Sequence, residues 1–244
     1  MVPAVVLAWI PIVLVLDRGA TMDQQRLLGI GTWALLVALL CRQDMRTRLQ
    51  VAVVVVFASV VEYLFAGWLG VYVYRLHDVP WFVPPGHGLV YLGALTMGRS
   101  ELFARNRRWL IPATLAIAGA YAFWGLALSG RRDVLGAFWF VCLAFFLLRG
   151  RNPLVFVGAF LVVTYLELLG TRLGTWTWQV RDPILGIVAM GNPPSGAAGG
   201  YGFFDAAALW LAPRLVDRLP AGIRRPALNS APWPLRDTGR WPSA

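Results

Sequence analysis

The sequence predicts an all-α fold, a polytopic transmembrane helix bundle of about eight spans, or seven without the shortest. Three observations predict it. Of 244 residues, 58% are hydrophobic and 14% charged, where soluble domains are about a quarter charged. Apolar runs of roughly spanning length recur without alternation, so helices rather than a closed barrel must satisfy the backbone in lipid. Two stretches also look like copies of one another. Val61 to Tyr74 followed by Pro84-Pro85-Gly86-His87-Gly88 parallels Tyr165 to Trp178 followed by Pro193-Pro194-Ser195-Gly196.

The spans are expected at about 2–16, 27–41, 51–71, 87–98, 109–129, 134–148, 153–171 and 196–213. The first lacks a basic leading region and a small-residue cleavage site, so it reads as a span and not a cleaved signal. At about 16 residues it is short for a span, which is compatible with a start codon upstream. The fourth is the shortest. Arg, Asp, Gly and Pro break the chain between them. Sliding the second half back by 104 positions lays spans five, six and seven on one, two and three. Gly70 then meets Gly174, Tyr72 meets Trp176 and Tyr74 meets Trp178, while Glu62 and Glu167 miss register by one residue. One residue is about 100° of helix rotation. The expected units are therefore a first repeat, 1–104, a second, 105–218, and a Pro/Arg-rich disordered tail, 219–244. Four spans per repeat make the repeats parallel, related by an axis along the membrane normal.

The net charge of +10 comes entirely from Arg, set in short loops and the tail. That placement is a topology signal and argues against nucleic acid. The loops after spans two, four and six, with the tail, hold 15 Arg; the other loops hold 7. The expected location is the cell membrane with both termini cytoplasmic and both Pro-Pro loops outside. The tail is expected to touch anionic headgroups. Cys41 and Cys142 form no disulfide or metal pattern. No phosphate loop, His/Cys cluster or GxSxG elbow is present, no cofactor is expected, and Ser195 has no base beside it in sequence.

The chemistry is expected at three carboxylates, Glu62, Glu167 and Asp205. Intramembrane acids are costly and mark function by default. Each lies on a stripe of small residues, which mark helix contacts in membranes. The stripes are Ala58, Ser59, Glu62, Ala66, Gly70; Thr164, Glu167, Gly170, Thr171, Gly174; and Ala198, Tyr201, Gly202, Asp205, Ala208, Ala212. Glu62 and Glu167 lie roughly 17 and 21 Å from their inner helix ends, and Asp205 roughly 13 Å from its outer end. His87, a fourth catalytic candidate or else a helix cap, and Asn192 are expected at the outer loop edges, capping a cavity. Tyr72, Tyr74, Trp176 and Trp178, with Trp68 and Trp81, read as an interfacial belt or as a wall of π-faces for a cation. These four, with Tyr201 and Asn192, are the candidate substrate contacts.

The segment Glu167-Leu168-Leu169-Gly170-Thr171-Arg172-Leu173-Gly174-Thr175-Trp176-Thr177-Trp178 resembles a signature of polytopic carotenoid-biosynthesis membrane proteins, of the bacterioruberin-pathway and carotenoid 1,2-hydratase type. Glu62 to Tyr74 echoes it. The family's longer Gly-Pro-Phe-Gly-like segment before the aromatic pair is missing here. The resemblance implies acid chemistry on an isoprenoid: hydration, cyclisation or isomerisation. A buried carboxylic acid keeps its proton and can give it to an alkene. Glu62 or Glu167 would be the acid; the other, with Asp205, would position water or stabilise the cation. Two further readings stay open. One is a small transporter or lipid flippase with a path between the repeats. The other is an assembly subunit whose acids pair with a partner's Arg.

Overall fold

Local chemistry sets where the helices begin. Thr21 opens α2 (Met22–Leu40) with a reciprocal capping box: its hydroxyl accepts from Gln24 N, and the Gln24 side chain accepts from Thr21 N. Asp44 caps α3 (Met45–Glu62), and Asp133 caps α7 (Val134–Arg149). Prolines occupy the first turns of α1 (Val2–Asp17), α4 (Val83–Gly98) and α8 (Pro153–Leu173), where no amide donor is needed. A short α5 (Glu101–Arg105), α6 (Arg107–Phe123) and α9 (Ala197–Arg218) complete the α-helices among the described residues, and α6 continues into a π-helical turn, Trp124–Leu128. This computed structural model describes residues 1–218; the expected tail, 219–244, lies outside them.

The chain is mostly helical, and each of the eight predicted segments falls on a helix. Three helical stretches are long and apolar enough to cross a membrane: Met45–Trp68, Arg107–Leu128 and Pro153–Leu173.

Four helices form the inner bundle. The most extensive contacts are α4 with α8 and α3 with α9, and α3–α4 and α8–α9 close the ring. This leaves α3 diagonal to α8 and α4 diagonal to α9. Small residues permit the tightest contact. A Cβ on Gly158 would stand 2.6 Å from Ala94 O, and one on Gly98 would stand 2.8 Å from Val155 N. α1, α2, α6 and α7 pack around this ring. α4 buries most of its length, as a central helix should.

The inner helices end differently. α3 runs into a π-helical segment, Tyr63–Trp68, and Gly70 then turns at φ +64° into β1 (Tyr72–Tyr74). α8 stays α-helical to its end, and Gly174 turns at φ +73° into β2 (Trp176–Trp178). Gly70 and Gly174 are therefore not on the helix stripes, as the spacing had suggested. They supply the left-handed turn that a side chain would strain. β1 and β2 pair antiparallel, with Tyr72 opposite Trp178, Val73 opposite Thr177 and Tyr74 opposite Trp176. The 104-residue offset turns this register into itself: Val73 meets its own counterpart, and the other two pairs exchange. The α9 stripe is buried as expected at Ala198, Gly202, Asp205, Ala208 and Ala212.

Candidate functional site

Two carboxylates on the diagonal helices α3 and α8 organise the site. Glu62, the last residue of α3, is buried. Its Oε2 accepts from the hydroxyls of both Tyr72 and Tyr74 at 2.8 Å. Its Oε1 lies 2.9 Å from His87 Nε2. Glu167, also buried, accepts at Oε2 from Trp176 Nε1 at 3.0 Å and Trp178 Nε1 at 3.2 Å. Burial without such donors costs a charged or polar acid heavily.

Strand geometry explains these contacts. Residues i and i+2 share one face of a strand, so each aromatic-x-aromatic triplet aims two donors at one acid. The two donor pairs also interlock across the ladder. The Tyr72 ring lies 4.5 Å from that of Trp178, and the Tyr74 ring 6.2 Å from that of Trp176. Gly170, one turn beyond Glu167, makes room: a Cβ there would stand 1.9 Å from the Trp176 ring. The four aromatic residues thus face inward and are not an interfacial belt. Trp68 and Trp81 are exposed, at 80% and 50%.

The one-residue mismatch between the two matched segments has a local structural counterpart. Glu62 precedes its donors by 10 and 12 residues, and Glu167 precedes its own by 9 and 11. The π-helical Tyr63–Trp68 winds one more residue into a turn than an α-helix does. That absorbs the extra residue while keeping Glu62 under its strand.

Both acids line one cavity of about 300 Å³. His87, Tyr72, Tyr74, Trp176, Trp178 and Tyr201 line it too, with apolar side chains from α1, α3, α4 and α9. A few convergent polar groups in an apolar pocket is the usual form of a small-molecule site. His87 is not at a loop edge: it lies in the second turn of α4 and is buried, because the proline-led helix starts four residues earlier. Its ring stacks on Tyr201 at 5.1 Å and 28°.

Two expected members stand apart. Asp205 is buried on α9 but does not line the cavity; Tyr201, one turn before it, does. Asn192 caps no cavity either. Its Oδ1 accepts from Trp178 N at 2.9 Å and so braces β2. Arg131 braces the same region, donating to the carbonyls of Met190, Trp178 and Gln179.

A pairing invisible in the sequence joins Asp133 to Ser195, 62 residues away. Asp133 Oδ2 accepts from Ser195 Oγ at 2.8 Å and Ser195 N at 2.6 Å; Oδ1 accepts from Gly136 N and Gly191 N. Four donors on one carboxylate, away from the cavity lining, make a staple for the Pro-Pro loop. No group of three or more potential metal-ligating side chains occurs among the described residues. No protein-family model, curated protein or solved structure matches the chain.

Proposed function

We propose that the chain is an integral membrane enzyme carrying out acid–base chemistry on an isoprenoid lipid, in the manner of carotenoid hydration, cyclisation or isomerisation. The observation that carries this reading is one apolar cavity lined by a Glu62–His87 pair on one side and Glu167 on the other. At about 300 Å³ the cavity is at the small end for ligand pockets. It suits one end of a long polyene, with the remainder in lipid. The eight spans, the 4+4 repeat and cytoplasmic termini belong to the same reading, supported by the helical segments and the Arg distribution.

The hydrogen bonds divide the labour. Both indole bonds of Glu167 fall on Oε2, so Oε1 is the oxygen for a transferable proton. That proton adds to an alkene carbon and leaves a tertiary cation beside the faces of Trp178, Tyr72 and Tyr201. Glu62 receives two phenol hydroxyls and faces His87, so this pair is the proton acceptor. It takes a proton from an attacking water, giving hydration, or from a neighbouring carbon, giving isomerisation or ring closure. No cofactor is needed.

The test is expression with candidate acyclic and cyclic isoprenoids, followed by mass spectrometry of extracted lipids. A new hydrated or isomeric product that vanishes with Glu62→Gln and with Glu167→Gln is expected. A profile unchanged by the wild-type chain overturns the proposal. One observation favours a transporter instead: the two halves meet at the cavity with a self-matching strand register. That reading requires substrate or proton flux in reconstituted vesicles that Glu167→Gln abolishes.

A further inference from the structure

Buried polar atoms with no hydrogen-bond partner within the protein include His87 Nδ1, beside the cavity, and Tyr91 Oη, Asp205 Oδ2 and Gln50 Nε2, beyond it. Their residues are at most 5% exposed. Folded interiors leave few such groups, and clusters of them are where internal water binds.

These four follow one axis. His87 on α4 stacks on Tyr201 of α9 across the bundle. Both helices begin at the strand end of the molecule. Tyr91 and Asp205 therefore each lie one turn, about 6 Å, beyond that stack. α3 packs against α4 and α9, and its buried stripe runs from Glu62 through Ala58 and Val54 to Gln50. That is about 18 Å along the axis. At its far end Gln50 Oε1 accepts from Arg99 at 3.4 Å, and Arg99 also donates to Thr47.

We infer that these groups line a hydrated shaft along the bundle axis, by which water and protons pass between the Glu62–His87 pair and the Arg99 end. The inference rests on the acid–base reading of that pair and gives Asp205 a role outside the cavity. The proton that Glu62 takes up passes to His87 Nε2, and His87 Nδ1 releases one through bound water to Tyr91 and Asp205, from where it leaves beside Gln50. Each hand-off breaks one O–H or N–H bond and forms the next, so no group changes oxidation state. Asp205 and Tyr91 are positioning residues that act through water on His87.

Radiolytic hydroxyl-radical labelling of the full chain in lipid nanodiscs tests this, with ¹⁸O-water mixing to time exchange. Buried side chains take label when bound water touches them. Tyr91 should label at least tenfold faster than Phe160, which is also buried. Asp205→Leu should cut the Tyr91 label at least fivefold and leave exposed Tyr63 unchanged. Gln50→Leu, with Gln50→Met as the milder variant, should slow ¹⁸O exchange at Tyr91. Tyr91 labelling no faster than Phe160 overturns the shaft. A labelled Tyr91 whose exchange ignores both Gln50 variants overturns the route to the Arg99 end. Labelling needs no substrate, so a failed lipid conversion and a dry shaft are separate results.

Discussion

The Glu62 and Glu167 centres share a plan and differ in chemistry. In each, an inner helix carries an acid in or near its last turns, a left-handed glycine then turns the chain, and a three-residue strand returns two donors. At Glu62 the donors are phenols, which can themselves accept and pass protons; His87 adds a third polar contact. At Glu167 the donors are indoles, which can only donate. By the Pro-Pro alignment, Gly196 stands where His87 stands in the first half. Two matched segments thus differ: in the proposed chemistry the first centre relays protons, while the indoles of the second hold its acid in place. Of two π-helical segments among the described residues, Tyr63–Trp68 lies at the Glu62 centre, where the spacing is one residue longer, and Trp124–Leu128 follows α6.

The largest expected effect breaks this asymmetry directly. His87→Asn should lower turnover by about 10²–10⁴, the usual worth of a general acid–base group. Trp178→Phe, which removes one donor but keeps a ring, should lower it less than tenfold. Product formed per mole of protein decides this. Equal losses would mean that His87 only positions Glu62.

Next is Gly170→Ala. Its Cβ would overlap the Trp176 ring, so the indole must leave Glu167. A stability loss of about 1–3 kcal/mol is expected from overpacking, with a changed near-UV circular dichroism spectrum. The Tyr72–Glu62 and Tyr74–Glu62 bonds should persist. Denaturation in detergent gives the first quantity, and a structure of the variant gives the second.

Smaller, and equal at the two centres, is the cost of Gly70→Ala and Gly174→Ala. Neither Cβ would meet another atom within 4 Å, so only the positive φ is strained. About 1–2 kcal/mol is expected for each. Unequal values would show that one of the two turns carries more than backbone geometry.

The smallest effect concerns the loop that follows β2. Asp182 accepts from the amides of Leu185, Gly186, Ile187 and Val188. These bonds, Leu185 and Val188 foremost, hold its carboxyl below the usual carboxylate range. The folded value is the lower one. The contribution to loop order is therefore complete above the unfolded value and is lost as pH falls through the folded value. Amide exchange at Leu185 and Val188 should stay slow at neutral and mildly acidic pH and rise only below the usual carboxylate range. The first half's connection after β1 shows no such carboxylate turn: Asp78 accepts only from Val79 N.

Much of this was legible in the residues. Apolar runs between Arg, Gly and Pro placed the eight segments, and small-residue spacing turned Glu62, Glu167 and Asp205 inward. The aromatic-x-aromatic triplets also carried a readable period of two, the mark of a strand. In a chain full of helices, three residues are too few for that period to outweigh an interfacial belt. His87 was legible as a helix start but not as a buried partner of an acid 25 residues away.

By itself, then, the sequence determined the helices, their breaks, the inward acids and the two matched segments. Hydrophobic period, proline and glycine act over one or two turns and need no distant partner. Only the tertiary structure decided which donors meet which acid, that Asn192 and Asp133 serve the loop, and that Asp205 lies beyond the cavity. Those outcomes depend on an antiparallel strand pair and on diagonal helices. The contacts reach across 9 to 62 residues, and no local pattern encodes them.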